Sequence, residues 1–551
     1  MATNEGISSL PPTHVWGLLS KERVLAPSGF NRWLVPPAAL AIHLSIGMAY
    51  GFSVFWLPLS RAIGIDAPVT CENVGFFERI FSTQCDWPVS MLGWTYTLFF
   101  VFLGSSAALF GRWVEQAGPR KAGFVAALCW CGGLLISAVG VYIHQIWLLW
   151  LGAGVIGGIG LGLGYISPVS TLIKWFPDHR GVATGLAIMG FGGGAMIGAP
   201  LADRLMNAFA TDQSTGVWQT FVVLSAIYFV AMMLGAFGYR LPPADWNPAP
   251  ARTQKPRALV TAGHVDANTA IRTPQFWLLW GVLCLNVSAG IGVIGMASPM
   301  LQEVFGGQLI GVPARLGELD NAQRTEVATI AAAFAGLLSL FNIAGRIVWA
   351  SASDVLGRKL TYTVFFLLGF FLYVSVPIAG EAGRIALFVA ITCVILTMYG
   401  GGFSTVPAYL ADLFGTQQVG AIHGRLLTAW SVAGILGPVV VNYIREFQLQ
   451  RGVAPHEAYN FTMYVLAGML IVGLICNALI KPVDPRHHMR VEPAPARDSP
   501  ELGADSRPSV RSARTSAISH RVLLIAAWTA IAIPLLWGVW ITLSNSLVLF
   551  R

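Results

Sequence analysis

The sequence predicts an all-α membrane protein built as two six-helix halves with one extra helix at the C-terminus. Three observations predict it. Hydrophobic residues make up 55% of the 551, charged residues only 11%, and mean hydropathy is +0.65, a balance far too apolar for a soluble domain of this length. Apolar windows of about 20 residues, the length needed to cross a bilayer, recur thirteen times. Two polar, proline-containing stretches interrupt the series, one after the sixth window and one after the twelfth.

The predicted spans fall near 34–60, 90–112, 122–144, 146–172, 182–206, 217–240, 275–301, 327–350, 360–380, 384–410, 425–444, 460–481 and 522–549. The expected organisation is therefore an N-terminal segment over 1–33, a first half over 34–240, a linker over 241–273, a second half over 274–481, a second linker over 482–521, and a thirteenth span over 522–549. Leu241 to Arg272 and Pro482 to Arg521 read as disordered because they are rich in Pro and polar residues. The first 30 residues lack an apolar core, so no cleavable signal peptide is expected.

The formal net charge of +8 is explained by location. Lys21, Arg23 and Arg32, then Arg112, Arg120 and Lys121, then Lys174 and Arg180, then Arg252, Lys255, Arg257 and Arg272, then Arg358 and Lys359 all fall on one side of the bilayer when the spans alternate. Basic residues gather on the cytoplasmic side, which places the N-terminus inside and Arg551 outside. A nucleic-acid partner is not needed to account for the charge.

The halves carry an internal repeat. GRWVEQAGPRK (Gly111 to Lys121) follows span 2 and ASASDVLGRK (Ala350 to Lys359) follows span 8, with Glu115 and Asp354 239 positions apart. Phe176 and Phe414, in KWFP and DLFG, are 238 apart, as are Pro200 and Pro438 in MIGAP and GILGP. One offset across three motifs implies duplication. A duplicated six-helix half, with a substrate site between the repeats, is the architecture of a major facilitator.

The sequence resembles that superfamily at its loop signature, matched by Gly111, Glu115, Gly118, Arg120 and Lys121 and again by Asp354, Gly357, Arg358 and Lys359. A carboxylate closing one helix and cations opening the next can pair across the glycine turn and latch a gate. The alternative is an ordinary positive-inside loop. The pattern's first arginine is replaced by Gln116 and Val355. Within the superfamily the chain resembles the oxalate/formate antiporter family, and more distantly the monocarboxylate transporters. That resemblance is carried by Asn31-Arg32-Trp33, by GLGLGYISPVSTLIKWFPDHRG (Gly160 to Gly181), by Asn342 to Arg346, and by AIHGRLLTAWSVAGILGP (Ala421 to Pro438).

Arg346 is the charge that most needs explaining. It lies eight residues before Asp354, which at ~1.5 Å per residue puts it roughly 12 Å into the bilayer. No other Asp, Glu, Lys or Arg lies so deep in any predicted span. Such a charge costs at least ~2.5 kcal/mol, so it should face a cavity and hold a partner. With no buried carboxylate to pair it, the expected partner is an anionic substrate, for which guanidinium supplies a bidentate fork. The resemblance implies the same role for an arginine in span 8. The competing reading is an arginine snorkelling to the interface.

Around it, Tyr50, Tyr165, Tyr399 and Trp430 are candidates for an aromatic box, as the resemblance implies, although aromatics also serve as packing. Asn342, one turn before Arg346, is placed to orient it. His43 reads as a structural histidine or a protonation site. Gly154, Gly158 and Gly162 in span 4, and Gly190, Gly194 and Gly198 in span 5, form smooth faces for close helix approach.

Cys71 and Cys85 share the polar loop between spans 1 and 2, and on the outside of a bacterial inner membrane they are candidates for a disulfide. The other five cysteines read as small apolar residues. No Walker loop, nucleophile elbow or metal-ligand pattern is present. The expectation is therefore a monomeric, cofactor-free and metal-free carrier rather than an enzyme.

The resemblance also implies something about charge. The oxalate carrier's second cation, a lysine in span 11, aligns with Trp430, and the nearest cation, Arg425, lies more than a turn away. The proton-coupling Asp and Lys of the monocarboxylate transporters align with Ala335 and Val54. The expected function is transport of a small carboxylate, monocarboxylates preferred, by alternating access and antiport. The alternatives are proton symport, or a membrane sensor that kept the fold.

Overall fold

In the computed structural model, residues 15–27, 29–64, 69, 71, 75–178, 180–243, 246, 259–261, 263–489 and 510–550 are described. Apart from three isolated bridges, every regular element among them is helical.

Span 1 begins at Val35–Ile46, with prolines in the first turn where their missing N–H costs nothing, and continues as a 3-10 stretch, Gly47–Phe55. Span 2 is Val89–Ala117 and span 3 Pro119–Tyr142. Span 4 is entered through Ile146–Leu149 and a π-helical stretch, Trp150–Gly157, before Gly158–Trp175. Spans 5 and 6 are Arg180–Phe209 and Val217–Gly238. The second half runs Pro274–Gly295, Asn321–Leu356, Arg358–Glu381 and Ile385–Phe414 as spans 7 to 10. Span 11 is Val419–Leu426 and Thr428–Gln450, broken at Leu427, and span 12 is Asn460–Leu479.

Among the described residues twelve stretches are long and apolar enough to cross a membrane, and the thirty-residue span 5 is a further helix of comparable length. The glycines that join spans 2 to 3 and 8 to 9, Gly118 and Gly357, have φ of 86° and 92°. Only glycine enters that region at low cost, which explains the glycine in both copies of the loop.

The glycine ladders are helix contacts. Gly154, Gly158 and Gly162 press on Leu98, Phe102 and Leu103 of span 2, while Gly190, Gly194 and Gly198 press on Leu40, Leu44 and Met48 around span 1. No side chain fits between these helices, so the backbones approach closely. The two halves meet along two seams, span 5 against span 8 and span 2 against span 11.

The described residues of 241–273 differ from the disordered linker expected. Trp246 donates to the Trp175 carbonyl at 3.3 Å and packs on its ring, while Thr261 N and Val265 N donate to the Asp412 and Phe414 carbonyls. The C-terminus of span 10 leaves carbonyls unmet, and this strand of chain satisfies them. Positions 244–245, 247–258 and 262 lie outside the described residues, as do 490–509 of the second linker. The last helix, Val510–Ser546, begins before the expected position 522, because no Pro or Gly interrupts the chain between Pro508 and Pro534.

Cys71 and Cys85 are disulfide-bonded, with Cα atoms 5.7 Å apart. Next to the bridge, His144 Nε2 meets the Cys85 carbonyl at 2.8 Å and its ring stacks on Trp87.

Span 13 lies across the seam between the halves. Trp528 Nε1 donates to the Trp33 carbonyl at 3.2 Å, Arg204 of span 5 sits over the Trp537 ring, and Gly538 packs on Met196. On the other side, Thr542 meets Gly336 of span 8. Among the described residues this helix touches both halves yet contributes no ring or cation to the aromatic and arginine cluster described below. Truncation after Met489 is expected to lower thermal stability or turnover while leaving anion affinity within about twofold. Saturation kinetics on the folded truncated protein check this, and a large change in affinity would contradict it.

Candidate functional site

Arg346 is completely buried on span 8. Two of its three guanidinium nitrogens are held. Nε donates to Asn342 Oδ1 at 3.1 Å, and Nη1 crosses the seam to donate to the Ile188 carbonyl of span 5 at 2.9 Å. The guanidinium carbon lies 5.4 Å from the Phe403 ring centroid. Nη2 is equally buried and meets no acceptor. No Asp or Glu among the described residues forms an ion pair with Arg346. The arginine fits because span 5 offers no side chain there: a Cβ on Gly192 would lie 3.2 Å from Nε, and one on Gly185 would lie 2.7 Å from the Arg346 carbonyl.

The aromatic candidates converge on this point. Trp430 is buried, with its ring 4.2 Å from Phe403, 5.4 Å from Tyr165 and Phe191, 5.5 Å from Phe100 and 6.3 Å from Tyr50. The Tyr50 and Tyr399 hydroxyls meet at 3.3 Å, one from each half, and Tyr50 also faces the Arg346 guanidinium. Tyr50 lies in the 3-10 stretch of span 1, a tighter helix that often marks a hinge. Phe100 and Phe403 had no sequence signal, since a phenylalanine in an apolar span carries no contrast. Phe191 alone had one, as a bulky residue set among Gly190 and Gly192 to Gly194.

Three polar atoms of this cluster share one property. Arg346 Nη2, Tyr165 Oη and Trp430 Nε1 are buried donors with no acceptor. Leaving each unmet costs about 1–3 kcal/mol, so the site is complementary to an acceptor-rich, negatively charged guest. No group of three His, Cys, Asp or Glu among the described residues is arranged to hold a metal.

His43 stacks on Tyr165 and its Nε2 lies 3.2 Å from the Tyr165 carbonyl, which gives it a structural partner. His423 fell outside the predicted span 11, which was drawn from 425. The helix starts at Val419, and His423 is buried with neither ring nitrogen partnered.

The two glycine-turn loops are built differently. Asp354 pairs with Arg358 at 2.6 Å, and Arg358 also bonds Asp412 at 3.2 Å and Ser353. In the first copy Glu115 does not take Arg120 or Lys121, the partners expected across the turn. The position equivalent to Arg358 is Pro119, so no cation stands there. Glu115 instead pairs with Lys174 of span 4 and accepts the Gly420 N–H of span 11 at 3.2 Å, tying one half to the other. Arg120 donates to the Leu18 carbonyl at 2.9 Å and, more loosely, to Phe237 at the end of span 6. Its counterpart Lys359 caps the Ala478 and Ile480 carbonyls at the end of span 12. Lys121 follows on span 3, partly exposed. Gly111 lets span 2 approach Ala421.

Because Glu115 crosses the seam, Glu115→Ala is expected to favour opening at this end. A cysteine at the buried Ser170, beside Gly420, should alkylate about tenfold faster in that background if one charged hydrogen bond of ~1.5 kcal/mol is lost. Unchanged alkylation would show that Glu115 does not latch the seam.

The Major Facilitator Superfamily profile matches residues 73–438. The chain is 24% identical over 416 residues to an uncharacterized MFS-type transporter, YhjX, of Escherichia coli (strain K12), covering 75% of this chain and 88% of that protein. It is also 24% identical over 409 residues to the oxalate:formate antiporter of Oxalobacter formigenes, covering 74% and 83%. Among solved structures, the transporter FucP in the outward conformation superposes with a TM-score of 0.54 at 14% identity, over 82% of this chain and all of that one.

Proposed function

The chain belongs to the major facilitator superfamily, and on that premise we propose that it carries small carboxylate anions, monocarboxylates preferred, by alternating access around Arg346. It is an integral membrane protein, and its relatives and fold are those of transporters rather than enzymes.

One observation carries the reading. Arg346 lies at the seam between the halves, fully buried, with Nη2 unmet and no resident carboxylate among the described residues. A carboxylate on Nη2, Tyr165 and Trp430 would supply the missing acceptor. It would also tie span 8 to spans 4 and 11, which gives the guest a grip on both halves. A carrier whose seam contacts complete only when loaded exchanges one anion for another more readily than it returns empty, and this favours antiport.

In this reading the glycine-turn end is cytoplasmic, the N-terminus is inside, the C-terminus is outside, the membrane is a bacterial inner membrane, and the carrier works as a monomer. Counterflow of labelled carboxylates in proteoliposomes, with and without an imposed proton gradient, tests the mechanism. Antiport gives counterflow that is indifferent to the gradient. Obligatory proton symport gives uptake that follows it, and a non-transporting sensor gives neither.

A further inference from the structure

We propose that His423 is a second, conditional cation of the anion site, so that a dianion is carried together with one proton on His423 and a monoanion with none. The proposal rests on the reading of Arg346 as the carboxylate anchor, and it adds a rule for the substrate's charge.

His423 is 1% exposed, and neither Nδ1 nor Nε2 has a hydrogen-bond partner. A neutral imidazole there leaves one donor and one acceptor unmet, whereas an imidazolium presents two donors. The ring lies 5.8 Å from the Tyr165 ring. Tyr165 in turn packs on Trp430 and sits in the electrostatic field of Arg346, so one phenol is neighbour to both cations. His423 and Trp430 lie on either side of the break at Leu427, and both rings face Tyr165. Toward the helix end lies Gly420, whose N–H is held by Glu115. His423 thus sits between the latch and the anion site.

Charge decides when it ionises. Among the residues whose side chains are described, the titratable and charged groups on the elements packed around it are Tyr96, Arg112 and Glu115 of span 2, Tyr165 and Lys174 of span 4, Cys393, Tyr399, Tyr409 and Asp412 of span 10, Asp266 before span 7, and Arg425 and Arg445 of span 11 itself. The carboxylates are engaged elsewhere: Glu115 with Lys174, Asp412 with Arg358, and Asp266 with the Asn268 N–H. None of them is bonded to the imidazole. Among the described residues an imidazolium would therefore have no resident counter-charge. A monoanion is already neutralised by Arg346. A dianion leaves one negative charge over, and a proton on His423 balances it. Binding of dianion and proton then favour each other equally, as linkage requires. Because the dianion binds together with a proton, its affinity is greatest at low pH and falls as pH rises.

The test uses full-length protein in proteoliposomes, with counterflow of labelled lactate inhibited by unlabelled oxalate from about pH 6 to about pH 8, where neither anion changes charge. The inhibition constant of oxalate should rise by up to about tenfold per pH unit, while the half-saturation of lactate stays flat. An entrapped pH dye should record one proton per oxalate and none per lactate. In His423→Gln, with the folded fraction measured by gel filtration, the oxalate profile should be flat; His423→Asn is the second variant if the first does not fold. Oxalate inhibition independent of pH in the native protein, no proton accompanying oxalate, or an unchanged profile in the variants overturns the proposal. Exchange of lactate with that outcome leaves Arg346's role standing. Absence of counterflow with any carboxylate removes that role and this proposal together.

Discussion

Arg346→Gln is expected to abolish carboxylate exchange while leaving folded protein in the membrane. Glutamine keeps a polar group near Asn342 and removes a buried charge, so folding loses little. Binding loses the charge-assisted hydrogen bond from Nη2, at about 1.5–3 kcal/mol, which amounts to one to two orders of magnitude in affinity. Arg346→Lys should rescue poorly. A point charge cannot reach Asn342, Ile188 and a bound carboxylate in one plane, as the guanidinium geometry allows. Initial exchange rates, normalised to folded protein from gel filtration, check both. Normal transport by the glutamine variant would show that the anion binds elsewhere.

Trp430→Lys should shift preference from monocarboxylates toward dicarboxylates. In the native protein Trp430 offers an apolar face and one unmet N–H where a dicarboxylate's second charge would fall, and burying that charge without a permanent partner costs several kcal/mol. A lysine there supplies the partner, which should move the oxalate-to-lactate selectivity by on the order of a hundredfold. The substitution has a structural cost. Trp430 is the hub of Phe403, Tyr165, Phe191 and Phe100, and truncating such a ring costs about 3–5 kcal/mol. Trp430→Met is therefore the control, since it opens a similar cavity without adding charge. Competition assays on both variants decide the matter: a shift in Lys and not in Met is expected, and equal shifts would assign the effect to cavity volume.

The spans were legible because apolar windows contrast with their polar flanks, and Arg346 because a lone charge contrasts with everything near it. Asn342 followed from helical spacing alone. Groups that meet through tertiary structure were not legible. The Ile188 carbonyl that receives Nη1 is backbone, and any residue would provide it. Glu115 and Gly420 are 305 residues apart, and only the packing of span 2 on span 11 joins them. His423 was lost to a boundary, because HGR reads as a polar helix start until the preceding Val419 to Ile422 is seen to be helical. The extra helix was visible as a span, but its seat across the seam depends on Gly193, Gly336 and Gly538, which look like ordinary membrane-helix glycines.

The central claim is that a carboxylate completes the coordination of Arg346, and counterflow in matched vesicles tests it most directly. Liposomes preloaded with unlabelled lactate and diluted into trace labelled lactate should accumulate label transiently above equilibrium with the native protein and not with Arg346→Gln. Equal accumulation by both proteins, or none by the native protein with any carboxylate, would contradict the account.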